Sequence, residues 1–146
     1  MKGKVERADK IVVFKKRRTM YLMQDGQSIR KYPISVGRNP VGQKIKKGDQ
    51  RTPEGLYRII NKKPHSIYYR SLQISYPNAT DIANARKRKV NPGGDIVIHG
   101  FKRGRDAFDK EIDYFDYTDG CIRVSNADLD EIWSLVPIGT PIQINP

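Results

Sequence analysis

Cysteine is almost absent from this chain of 146 residues: the single one, Cys121, sits in the stretch "DYTDGCIRVSN". One thiol permits no internal disulfide, so no cross-link supports the fold and the redox compartment is left open. Long apolar runs are also missing. The longest, such as 11–14 and 96–98, are far too short to cross a bilayer. The opening "MKGKVERADK" carries charge but has neither an apolar h-region nor a small-residue cleavage site, so it does not read as a signal peptide. The expectation is either a cytosolic protein or a mature domain whose signal has been removed. No internal repeat and no low-complexity tract is visible.

What remains is a chain suited to one domain, 1–146, with enough length to bury a core. Apolar residues make up 37% and charged residues 30%, the balance of a globular protein rather than a disordered or fibrous one. The formal net charge is +12, with clusters "KKRR" at 15–18, "KIKK" at 44–47 and "RKRK" at 86–89. A basic surface favours an anionic partner such as nucleic acid, acidic lipid or a polyanionic wall polymer; the plainer reading is solubilising charge. Few aromatics interleave with these clusters, which weakens the nucleic-acid reading.

The pattern along the chain is mostly strand. "KIVVFKK" and "TMYLMQ" read as strands, "QDGQ" as an Asp-Gly turn, and "QSIRKYPISVG" as the strand that follows. Glycine, proline and charge then dominate 37–55, a loop long enough to be functional. "GLYRIINKK", "SLQISYP", "GGDIVIHG", "CIRV" and "TPIQIN" are further strands. His65, in "KKPHSIYY", reads as loop. Ala79, Ile82, Ala83 and Arg86 are spaced as one face of a short helix, and Phe108, Ile112 and Phe115 as another. In "NADLDEIWSLV", Leu129, Ile132, Trp133 and Val136 share a face, Asn126 is placed to cap the start and Pro137 follows the end. Strands outnumber helices, so the fold expected is mostly β with two or three short helices.

Strand alternation turns Cys121 from an oddity into a candidate. In an extended "CIRV", Cys121 and Arg123 point to one face, while Ile122 and Val124 point to the other. In "DIVIHG", Asp95, Val97 and His99 share a face opposite Ile96 and Ile98. If these strands are neighbours, one cleft holds His99, Cys121 and Arg123. A nearby imidazolium and guanidinium would lower the thiol pKa and supply thiolate, and the histidine could later protonate a leaving amine. Gly120 lets backbone approach a substrate carbonyl, and the amides of Gly120 and Cys121 are candidate oxyanion donors. Taken singly, each residue has a plainer reading: a lone cysteine as a small buried hydrophobe, a strand-end histidine and a surface arginine.

"IHG", followed after a spacer by "TDGCIRVSN", resembles the signature of the L,D-transpeptidase catalytic domain. "ISVGRNPVGQKIKKGDQRTPEG" and "LQISYPN" are similar to upstream landmarks of one bacterial branch, so the resemblance covers most of the chain. It implies a β-sandwich of mixed strands that needs neither metal nor organic cofactor and acts on peptidoglycan stem peptides at the periplasm or cell envelope. It also implies a cysteine attacking the carbonyl between the diaminopimelate L-centre and D-alanine, a thioester, and transfer to an amine of another stem or of a wall-linked lipoprotein. Hydrolytic relatives use water. On this resemblance Cys121 is the nucleophile, His99 the general base and acid, and Gly100 the residue whose carbonyl orients the imidazole. Gly120 and Cys121 form the oxyanion region. Arg123 shapes the site or contacts a substrate carboxylate; Thr118, Asp119 and Asn126 complete the substrate-binding set.

Asp119 departs from the pattern, since many members have histidine there; a carboxylate beside the thiol opposes thiolate unless it points away or pairs with Arg123. The 108–115 helix reads as a lid, a cleft wall or core packing. The expected partners are stem peptides, with no nucleic acid and no transmembrane segment, and the chain is expected to be a monomer. Three alternatives stay open: a hydrolase on the same fold, a sortase-like enzyme, whose His, Cys and Arg would lie further apart in sequence, and a basic polyanion-binding β-domain.

Overall fold

The computed structural model describes residues 5–102 and 118–146. Alternating apolar residues drive the first meander. β1 (Lys10–Phe14) buries Ile11 and Val13, β2 (Thr19–Gln24) buries Met20 and Leu22, and β3 (Gln27–Pro33) buries Tyr32. The Asp-Gly turn between β2 and β3 forms as expected. Asp25 and Gly26 have φ of 53° and 79°, the paired positive values of a tight turn matched to strand twist.

β4 (Gly55–Ser66) organises the rest. Its first residues pair with β8 (Pro141–Asn145), and its later residues pair with β5 (Tyr69–Ile74) across a register shift after Ile59. β6 (Val97–His99) then pairs antiparallel with β5 and parallel with β7 (Ile122–Arg123). The result is one mixed eight-stranded sheet, in the order β3-β2-β1-β8-β4-β5-β6-β7. The expected sandwich is thus a continuous sheet, shared at β4, whose two halves contribute to one hydrophobic cluster. Its two edges are also tied together. Beyond β3, Ser35 exchanges backbone hydrogen bonds with Arg123 at 2.9 and 3.0 Å, which covers part of the otherwise open edge.

Two helices flank the described sheet, and each corrects a detail of the sequence reading. In α1 (Ala79–Arg88), Asp81 and Ala85 are buried while Ile82 is 42% exposed, so Ala79, Ile82, Ala83 and Arg86 are not the inward face. The physical reason is a capping box. Asn78 and Asp81 exchange hydrogen bonds, and the Asp81 carboxylate also accepts from the Tyr57 hydroxyl at 2.9 Å. That pair turns a polar residue inward. In α2 (Asn126–Leu135), Leu129 and Ile132 face the core as expected, but Ser125 is the cap and accepts from the Asp128 amide at 3.0 Å. Asn126 stands one position inside the helix, and its side chain serves elsewhere.

His65 lies within β4 rather than in a loop, exposed on an extended strand. The helix expected over 108–115 lies outside the described residues. The basic clusters are not uniformly solvated. Lys15 is 1% exposed, and its Nζ donates to the carbonyls of Gly42 and Thr52 and to the Glu54 carboxylate, all within 2.9 Å. Lys44 is also buried and pairs with Asp49 at 2.9 Å. Lys15 ties the 37–55 loop to the end of β1, and Lys44 cross-links the loop internally, because a buried ammonium is tolerated only where its donors are satisfied.

Candidate active site

The β6–β7 pair sets His99 opposite Arg123 by register, and Cys121 immediately precedes β7. Ile98 faces Ile122 and His99 faces Arg123 in a parallel ladder. Ile98 and Ile122 are fully buried and Ile96 and Val124 nearly so. Each such side chain contributes roughly 1.5–3 kcal/mol by leaving water, which locks the register. The residues between them, Val97 and His99 on one strand and Arg123 on the other, must then occupy the opposite face. The expected alternation is found for Val97–His99 and Ile122–Arg123; Asp95, with φ of 54°, lies before β6 and off its extended run, and Cys121 immediately precedes β7.

His99 is held in one tautomer. Its Nδ1 lies 2.7 Å from the Gly100 carbonyl, which only accepts, so Nδ1 carries the proton and Nε2 keeps its lone pair. The Tyr68 ring lies over the imidazole with centroids 4.7 Å apart, and the Tyr68 carbonyl accepts from the Gly100 amide at 3.0 Å. Asn126 fixes the same segment from the other side. Its Oδ1 accepts from the Phe101 amide at 2.8 Å, and a Cβ on Gly100 would fall 2.1 Å from that oxygen. Glycine is therefore required where the chain turns away from His99.

The Cys121 elbow is equally constrained. Gly120 has φ +138°, a backbone state that L side chains rarely adopt, and a Cβ there would meet the Arg51 carbonyl oxygen at 2.9 Å. Thr118 braces the turn: its hydroxyl donates to the Cys121 carbonyl at 2.6 Å and accepts from the Gly120 amide at 3.0 Å. Thr118 also aligns with the strand exit, where its amide donates to the Val36 carbonyl and its carbonyl accepts from the Arg38 amide. The Gly120 amide, expected as an oxyanion donor, is thus engaged by Thr118. Arg123 donates to Ser35 Oγ at 3.2 Å and stacks its guanidinium over Phe101 at 4.6 Å.

Cys121 borders a cleft of about 460 Å³ lined also by Lys44, Lys47, Gln50, Asp95 and Asp119. One wall is the 37–55 loop. Asp119 is exposed and its carboxylate lies 3.5 Å from Gln50 Nε2. The Cys121 thiol donates to the Asp95 carbonyl at 3.4 Å. Among the described residues, no three His, Cys, Asp or Glu side chains gather in a group that could hold a metal ion.

The electrostatics correct one expectation. Burial pushes the Cys121 thiol up; a backbone hydrogen bond from Val97 opposes this, and the Asp119 and Asp95 charges add to it. Burial pushes His99 down; its bond to the Gly100 carbonyl opposes, and the Arg123 charge adds to the lowering. The site rests as thiol and neutral imidazole, not as the thiolate stabilised by imidazolium and guanidinium that proximity alone suggests. Desolvation is the largest cause at both groups: His99 is buried, and Cys121 is partly buried at the cleft border.

Three residues with no sequence signal support this arrangement. Tyr68 covers the imidazole, Lys15 anchors the loop, and Thr52, fully buried, donates its hydroxyl to the Gly120 carbonyl at 2.8 Å. Thr52 was visible only as part of "RTPEG".

Comparison with known proteins agrees with this architecture. The profile of the YkuD L,D-transpeptidase catalytic domain matches residues 8–144. An Escherichia coli (strain K12) protein named "Putative L,D-transpeptidase YafK" is 30% identical over 132 residues, covering 86% of this chain and 46% of that protein. The chain therefore spans about half the length of the curated relatives it matches. Among solved structures, the helical cell shape determining protein Pgp2 of Campylobacter jejuni is 25% identical, with a TM-score of 0.69 over 92% of this chain and 46% of that one. An L,D-transpeptidase of Xylanimonas cellulosilytica shares the fold at 19% identity, with a TM-score of 0.64 over 97% of this chain and 62% of that one. With most of its length matched by the family profile and its sheet shared with solved members, this chain belongs to the YkuD family of L,D-transpeptidase catalytic domains.

Proposed function

We propose that this domain is a cysteine acyltransferase of the bacterial cell envelope that acts on peptidoglycan stem peptides. The observation that carries the reading is the fixed tautomer of His99. With Nδ1–H committed to the Gly100 carbonyl, Nε2 is left as a base on a residue that faces Arg123, two positions beyond Cys121, across the β6–β7 pair.

The reaction proceeds from a neutral pair. As substrate binds, the thiol proton passes to His99 Nε2 and Cys121 Sγ attacks the carbonyl between diaminopimelate and D-alanine. Negative charge develops on the carbonyl oxygen, where the Cys121 amide donates. The carbon–nitrogen bond breaks, His99 returns the proton to the departing D-alanine amine, and a thioester remains on Cys121. An amine from a second stem peptide, or from a lysine of a wall-linked lipoprotein, then attacks the thioester and yields a proton to His99; the carbon–sulfur bond breaks as the new amide forms, and His99 returns that proton to the departing Cys121 thiolate. If water attacks instead, the outcome is hydrolysis. The resting pKa directions suit this order, because they keep the thiol protonated until an acyl group is in place. Asp119 and Asp95 strengthen that restraint, and Arg123 disfavours a standing imidazolium.

Incubation with a purified disaccharide-tetrapeptide, followed by mass spectrometry, tests the reading and separates its branches. Cross-linked dimers and free D-alanine are the expected products. Tripeptide with free D-alanine and no dimer would assign hydrolysis. Unchanged tetrapeptide would remove the substrate assignment.

A further inference from the structure

We infer that Thr52 is a positioning residue for acyl transfer: its buried hydroxyl locks the Gly120–Cys121 peptide plane, and so aims the Cys121 amide as the oxyanion donor. This rests on Cys121 being the acyl-accepting nucleophile of the proposed function.

The polarity of the contact is not open to choice. Thr52 Oγ1 lies 2.8 Å from the Gly37 nitrogen, and an amide can only donate, so the hydroxyl oxygen is the acceptor there. Its one proton is therefore free to go to the Gly120 carbonyl, also at 2.8 Å. Thr52 is 0% exposed, so no water competes for either contact. In a planar trans peptide the N–H points opposite to the C=O. Holding the Gly120 carbonyl against Thr52 therefore directs the Cys121 amide away from Thr52.

Such a lock has work to do at this position. Gly120 has φ +138°, where glycine's conformational freedom leaves the following peptide plane weakly determined by sterics. The neighbouring Gly120 amide is engaged by Thr118 Oγ1, so it does not share the oxyanion role. Thr52 is itself fixed. Its carbonyl accepts from the buried Lys15 ammonium at 2.8 Å, and that ammonium also binds Glu54. A chain of contacts thus runs from Lys15 through Thr52 to the peptide that precedes the thiol.

The test compares Thr52→Val, which keeps the branched shape and loses the hydroxyl, with Thr52→Ser, which keeps the hydroxyl. Two reactions of Cys121 are read on each. Acylation by p-nitrophenyl acetate passes through a tetrahedral oxyanion: the thiolate displaces p-nitrophenolate and forms an acetyl thioester. Alkylation by iodoacetamide displaces iodide and forms no oxyanion. Thr52→Val is expected to slow acylation at least about 30-fold, as oxyanion-donor defects do, with alkylation within about threefold of the parent. Thr52→Ser is expected to stay within about threefold in both reactions, comparable to an intact donor. Acylation of Thr52→Val at the parental rate would overturn the inference, and so would equal loss of acylation and alkylation, which marks general loosening. The ester assay is independent of the natural substrate. A parent that is acylated by the ester yet leaves muropeptide untouched would refute the substrate reading and leave the Thr52 result standing.

Discussion

The β6–β7 pair and the 37–55 loop meet at the same cleft but are built on opposite principles. In the strand pair, apolar residues at alternate positions are buried, and the candidate side chains His99 and Arg123 emerge between them as a consequence of period. In the loop, organisation comes from buried polar groups: Lys15 on three oxygens, Lys44 on Asp49, and Thr52 between two backbone segments. On the proposed function, the strand pair supplies the chemistry and the loop its alignment. Damage to the first should therefore remove turnover at little cost in stability, and damage to the second should cost stability as well.

The sharpest form of that contrast is Cys121→Ser. Turnover is expected to fall by more than about 1,000-fold, as for loss of a covalent nucleophile. The melting temperature is expected to stay nearly unchanged, because serine is close in volume and its hydroxyl can keep the thiol's polar contacts, a long bond to the Asp95 carbonyl and one from the Val97 backbone. Kinetics and calorimetry on the same sample check both halves. An active Cys121→Ser protein would transfer the nucleophile to another residue.

Lys15→Met reverses the pattern. It strands the Glu54 carboxylate and leaves the Gly42 and Thr52 carbonyls without their donor. Breaking a buried pair costs about 3–5 kcal/mol, and the partial exposure of Glu54 puts this case at the lower end. Urea unfolding measures it. A stability change near zero would mean that the loop is not anchored through Lys15.

The smallest effect expected is a pH dependence of stability from His99. Burial holds its folded pKa below the ordinary value, so the unfolded chain binds the proton first as pH falls. The contribution is fully present above the unfolded value of about 6.5 and is lost as pH falls through the folded pKa. Unfolding curves between neutral and acidic pH should show this extra loss in the parent and not in His99→Gln. An identical acid profile in both proteins would mean that His99 is not held neutral.

Much of this was legible in the sequence. Period-two alternation puts Arg123 opposite His99, and glycine stands where a side chain would meet the Asn126 side chain (Gly100) or the Arg51 backbone (Gly120). What escaped was decided by single polar contacts that periodicity does not encode. The Asn78–Asp81 capping box and the Tyr57 hydroxyl rotated α1 away from its apolar-looking face. Ser125 took the cap assigned to Asn126, which freed that side chain to hold Phe101. Lys15 and Lys44 looked like surface charge because their partners are carbonyls and carboxylates brought in by the fold. The thiol's resting state also escaped, since desolvation depends on packing that a motif does not show.

Acyl transfer as proposed requires that Cys121 form a thioester with the stem peptide. Intact-protein mass spectrometry after rapid acid quenching of the domain with a disaccharide-tetrapeptide addresses it directly. The expected result is an adduct with the mass of the substrate less D-alanine, located on Cys121 and discharged by hydroxylamine. Product formation with no adduct on Cys121 at any quench time, or an adduct that persists in Cys121→Ser, would contradict it.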